Sequence, residues 1–150
     1  MSLLEQIIVL LLMLLLLGLS VTAAQHVYYR AELHAALGQL QSSLRRVHAF
    51  SVAEHRAIWV CPSVTTLQAC QTEWSGSWGI FSATPTQLLM TIPHDFHRIE
   101  ITWQGQPNTN RFQVTPQHRT QALAGRWRLR APDGQVCELV SSRSGEWRLS

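Results

Sequence analysis

The stretch MSLLEQIIVLLLMLLLLGLSVTAAQ, residues 1–25, decides how the rest of the chain is read. Residues 7–24 are 18 positions without a charge, and their only polar side chains are Ser20 and Thr22. As a helix this run is roughly 27 Å long, close to the apolar thickness of a bilayer. It therefore reads as a transmembrane helix. A retained anchor and a cleaved secretory signal both fit such a segment. Val21-Thr22-Ala23 would serve as a cleavage site, but a signal peptide begins with basic residues. Residues 1–6 carry no base and one acid, Glu5. A carboxylate at the mouth of a membrane span is costly unless it is paired. A signal peptide offers no reason for it.

The helical pattern continues past the apolar run. Leu33, Leu37, Leu40, Leu44 and Val47 recur at the period of an amphipathic helix. Glu32, Gln39, Gln41, Ser42 and Arg46 mark the opposite face. No proline occurs before Pro62, so one continuous helix from about residue 3 to about residue 55 is expected. After Arg56 the period changes to that of strands. Candidate strands are residues 57–61, 77–81, 87–92, 98–103, 111–115, 125–130, 136–140 and 146–149, separated by Pro, Gly, Asn and Asp. Asp133-Gly134 between two of these runs is a hairpin signal. The expected fold class is α+β: a long N-terminal helix, half membrane and half amphipathic, packed on an antiparallel β-sheet domain. The expected division is residues 1–25 as the transmembrane helix, 26–56 as its amphipathic continuation and 57–150 as a β-rich globular domain.

Formal charge is +3 over 150 residues, and all 12 basic side chains are Arg. Seven of them lie between residues 111 and 150, against Asp133, Glu138 and Glu146. Guanidinium groups suit phosphate and carboxylate partners, although a solvated surface accounts for the same excess. Of the three cysteines, Cys61 and Cys70 close the shortest loop and are the preferred disulfide, with Cys137 left over. Catalytic signatures are missing. There is no Gly-rich phosphate loop, GxSxG elbow or HExxH, and Ser63 and Cys61 have no recognisable base nearby. His94-Asp95-Phe96-His97 could supply two metal ligands, but it follows Pro93 and reads as a polar exposed turn. No enzyme activity, metal or cofactor is expected.

The N-terminal segment resembles the mature N-terminus of type IV pilins and type II secretion pseudopilins. In that family a hydrophobic helix starts at a processed, N-methylated residue, and a glutamate stands fifth. Ser2-Leu3-Leu4-Glu5 falls in that register, with Met1 in place of the usual Phe. The family's proline near position 22 is absent, and Gly18 is the only weak point in the helix. Further along, Cys61-Pro62-Ser63, Cys70, Trp74 and Trp78-Gly79-Ile80-Phe81 resemble the GspH/FimT branch of minor pilins, as does the ending SSRSGEWRLS.

The resemblance implies a minor pilin or pseudopilin that takes part in filament assembly through its helix. Other pilin subunits and the bacterial inner membrane are its implied partners, with the C-terminal domain in the periplasm. Glu5 would neutralise the terminal amine at the Met1 position of a neighbouring subunit. One FimT-like subgroup binds DNA for uptake through a C-terminal Gly-Arg-x-Arg motif. Gly125-Arg126-Trp127-Arg128 fits that string, whereas Gly145-Glu146-Trp147-Arg148 fits its usual position but carries Glu. Arg126, Arg128, Arg130, Arg143 and Arg148 are the candidate contacts to double-stranded DNA. The first three share one face if they lie on a strand.

Overall fold

The computed structural model describes residues 3–62, 70–83, 86–94, 96, 98–105, 110–116, 125–141 and 147–149; the side chains of 19–23 and 147–149 are outside that description. A single helix, α1 (Leu3–Glu54), runs for 52 residues. Eight strands follow: β1 (Ile58–Cys61), β2 (Trp78–Ser82), β3 (Leu88–Ile92), β4 (Glu100–Gly105), β5 (Phe112–Val114), β6 (Gly125–Arg130), β7 (Val136–Ser141) and β8 (Trp147–Leu149). They form two antiparallel sheets, ordered β3-β2-β1-β5 and β4-β6-β7-β8. The long helix packed on antiparallel strands is the expected fold class, and the strands divide between two sheets.

The Leu stripe of α1 packs into the core these sheets share. Leu40 and Val47 are fully buried, with Leu33, Leu37 and Leu44 nearly so. Their spacing places them on one side of the helix, and burying each large apolar side chain contributes about 1.5–3 kcal/mol. The helix stops where His55 takes a left-handed backbone, φ 52°, a conformation that His tolerates better than most residues. Just before it, the buried Ser51 hydroxyl donates to the Arg56 carbonyl at 2.9 Å and lies 3.3 Å from the Val114 carbonyl of β5. Those contacts fix the angle at which the chain leaves the helix.

Tryptophan dominates the centre. Trp74, Trp78 and Trp127 are fully buried. Trp78 stacks on Trp127 across the two sheets at 5.5 Å, and Trp74 meets both rings edge-on. Aromatic pairs at these separations add to plain area burial. Trp74 also ties the layers by backbone, donating its N–H to the Ile101 carbonyl at 3.0 Å.

Local geometry moves some expected boundaries. β4 starts at Glu100 rather than Arg98 because a turn, closed by Ile99 N–H to Phe96 O at 3.1 Å, occupies the preceding residues. The β6–β7 hairpin turns through Pro132-Asp133-Gly134. Gly134 N–H donates to Ala131 O at 3.0 Å, and Gly134 has φ 88°, as a three-residue hairpin loop requires. This turn reaches back to α1, where Gln135 Nε2 donates to the His26 carbonyl at 3.2 Å.

Candidate functional site

Two surfaces carry the residues singled out by sequence. The first is the N-terminal part of α1. Every described residue from 3 to 18 is exposed, although nearly all are Leu, Ile, Val or Met. Glu5 sits in the first turn, where a carboxylate is favoured by the unpaired N–H groups of the helix end. Met1 lies outside the described residues. Among the described residues no helix is long and apolar enough to cross a membrane.

The second surface is the outward face of the sheet β4-β6-β7-β8. Strand alternation buries Trp127 and Leu129 and leaves Arg126, Arg128 and Arg130 on the other side. These three guanidiniums do not stand alone. Glu138 on β7 lies opposite Arg128 in the register, and its Oε1 accepts from Arg128 Nε at 2.9 Å. Arg128 Nη2 is 2.8 Å from the same oxygen, and Arg126 Nη1 is 3.2 Å from Oε2. One carboxylate therefore engages two of the three arginines. Arg130 pairs in register with Glu100 of β4 and Val136 of β7. Arg148 stands opposite Val140 in the ladder, and Arg143 lies outside the described residues.

Gly125, the first residue of the Gly-Arg-x-Arg string, has a packing reason for being glycine. The ring of Trp103 lies where its Cβ would stand, and it covers Gly105 on the paired strand in the same way. Trp103 belongs to the core face, so this constraint is independent of any ligand on the arginine face.

Cys61 and Cys70 are joined in a disulfide, with Cα atoms 5.5 Å apart. Cys137 is a free, half-buried thiol, and burial raises its pKa above the usual value. A thiol held protonated is a poor nucleophile. Among the described residues no cluster of His, Cys, Asp and Glu could hold a metal.

The expected polar, exposed turn at 94–97 needs correction at His94. That imidazole is only 7% exposed, with Trp78 4.4 Å away and Phe96 stacked at 5.1 Å. Neither ring nitrogen has a hydrogen-bond partner. Burial, aided by the Arg46 charge on α1, lowers its pKa to about 4, so it is neutral at physiological pH. The signal in sequence was the alternation of His94 with Phe96 after an apolar strand. Asp95 and His97 lie outside the described residues.

No protein-family model matches this sequence, and none of the curated proteins matches it. The architecture does have relatives among solved structures. A crystal structure of the type IV minor pilin FimU from Pseudomonas aeruginosa PAO1, space group P21, superposes with a TM-score of 0.58. The match covers 81% of this chain and 90% of that one at 16% identity. A second crystal form of FimU, P65, gives a TM-score of 0.54 at 13% identity, covering 78% and 91%.

The chain has a pilin fold.

At this identity the likeness lies in the arrangement of helix and sheets. Few individual side chains are shared, so the site residues stand on this chain's own geometry.

Proposed function

We propose that this protein is a minor-pilin-like subunit that assembles with other pilins through the first half of α1. One observation carries the reading: a pilin-fold domain bears a helix whose leading residues 3–18 are exposed and, apart from Glu5 and Gln6, apolar. Such a surface needs lipid or other helices around it. The uncharged sequence run from 7 to 24 is long enough to hold the subunit in the inner membrane before assembly. Residues 1–25 would then be the membrane half, 26–56 the half that packs on the domain, and 57–150 the periplasmic body. The Cys61–Cys70 bond suits an oxidising compartment. Glu5 would meet the terminal amine of a neighbour at the Met1 position, a pairing that lowers the cost of both charges in an apolar bundle. The work is assembly rather than catalysis.

The test has two parts. Cell fractionation should place the intact chain in the inner membrane, and Glu5→Leu should reduce its recovery in sheared filaments while leaving membrane insertion unchanged. A mature chain beginning near residue 24 would instead support a secreted domain. Wild-type recovery of the Leu variant in filaments would remove the role given to Glu5. Association with secretion pseudopilins alone would move the subunit to a type II secretion system, the alternative that a shared fold leaves open.

A DNA-binding role rests on less. The face bearing Arg126, Arg128 and Arg130 suits a phosphate backbone, but Glu138 engages two of these groups. Salt-dependent DNA binding that is lost in Arg126→Ala/Arg128→Ala would support it, and absent or salt-insensitive binding would end it.

A further inference from the structure

The β6–β7 turn is tied to α1 at one place. Gln135 Nε2 donates to the His26 carbonyl at 3.2 Å, and Asp133 Oδ2 lies 3.4 Å from His26 Nδ1. The turn is closed by Ala131 N–H to Gln135 O at 2.9 Å, and Arg130 and Val136 are the last ladder pair before it. His26 stands just past residue 24, where the apolar run ends, and α1 is helical throughout. From residue 24 to His26 the helix rises about 3 Å, whereas the headgroup layer on each side of a bilayer is about 5–7 Å deep. With residues 7–24 in the hydrocarbon, the turn is held at headgroup depth.

The side chains at that depth suit lipid. Beyond residue 18, the exposed large apolar side chains among the described residues are Val27, Tyr28, Val52, Leu88 and Val136. Three of these five lie here, Val27 and Tyr28 on α1 and Val136 at the foot of β7. Pro132 and Gly134 at the tip of the turn are exposed and uncharged. Asp133, the acid of the turn, is already engaged by Gln135 and His26. Arg30 is exposed one helical turn further on. Tyrosine and arginine just outside an apolar span are side chains that settle among headgroups and phosphates. We propose that the β6–β7 turn is a second membrane contact, with Pro132, Gly134 and Val136 seated in the phospholipid headgroup layer beside Val27 and Tyr28. This contact depends on α1 standing in a bilayer, as proposed above. The helix sets the depth of the domain, and a contact off the helix axis also sets its tilt.

The experiment uses the full chain, with valine methyls labelled, in nanodiscs of phosphatidylethanolamine and phosphatidylglycerol. It reads nuclear Overhauser contacts between those methyls and lipid protons, with Val136 assigned through Val136→Ile. Val9, exposed in the apolar run, reports insertion of α1. Val52, exposed on α1 roughly 39 Å beyond His26, reports chance contact. Val9 should meet acyl-chain protons, Val27 and Val136 should meet headgroup and glycerol protons, and Val52 should meet none. Lipid contacts at Val9 and Val27 with none at Val136 would overturn the role of the turn while leaving α1 in the membrane. Contacts at Val52 equal to those at Val136 would also overturn it, since nothing would then single out the turn. A Val9 without lipid contact would show α1 outside the bilayer, and both readings would fall together.

Discussion

The indole ring of Trp103 fills the space where a side chain at Gly125 would stand. Because Trp103 and Gly125 lie at the core face of adjoining strands, neither can move without opening the layer beneath. Gly125→Ala should therefore lower stability by about 1–3 kcal/mol through overpacking, seen as a lower Tm. Gly76→Ala, with nothing near its Cβ, is the control. Equal Tm values for the two variants would mean that the ring does not press on Gly125.

Glu138 restrains the arginine face. Replacing it with Gln removes the carboxylate shared by Arg126 and Arg128 and raises the net charge of that face. Retention on an anionic resin such as heparin should increase for Glu138→Gln and fall again when Arg126→Ala is added. The stability change should stay within about 1 kcal/mol, because the arginines are substantially exposed. If retention is the same with and without Glu138, that carboxylate does not govern the face.

The pH dependence of folding has a window set by His94. Its folded pKa is lowered from 6.5 to about 4, so below pH 6.5 the unfolded chain takes up a proton that the folded chain refuses. Stability should fall as pH drops from 6.5 towards 4. Asp133 acts lower down: hydrogen bonding from Gln135 depresses its pKa below the ordinary 3.8, and its contribution fades only as pH falls through that region. Chemical unfolding of His94→Phe between pH 4 and 7 should show a flatter profile than wild type. An unchanged slope would assign the effect elsewhere.

The Cys61–Cys70 bond closes a local loop, with a sequence separation of 9. Chain-entropy reasoning gives such a closure about 2–3 kcal/mol. Cys70→Ser should lose that amount. Added reductant should lower the Tm of wild type towards that of the variant while leaving the variant itself unchanged. A reductant-insensitive wild type would show the bond absent in solution.

Leu40 tests the helix-to-domain contact. It is fully buried on α1, and Leu40→Ala should destabilise by about 2–5 kcal/mol. Gln39→Ala, on an exposed position one residue away, should change stability little. Urea unfolding of the two variants reads the difference directly.

By itself the sequence determined the elements and their order. The apolar run and the Leu33–Val47 stripe are repeats of short range, and with no proline before Pro62 they specify one helix. The strands between turn signals follow from the same local rules, which is why β6 begins and ends where the alternation of Arg with Trp127 and Leu129 does. Only tertiary structure decided the rest. The division into two sheets depends on pairings such as Trp59 with Gln113, far apart in the chain, and local period says nothing of them. Likewise, strand alternation put three arginines on one face, but the β6–β7 register brought Glu138 to them. His94 reads as a polar turn residue until Trp78 and Phe96 close over it. Burial is a property of what surrounds a side chain, and those surroundings come from segments that meet only when the chain has folded.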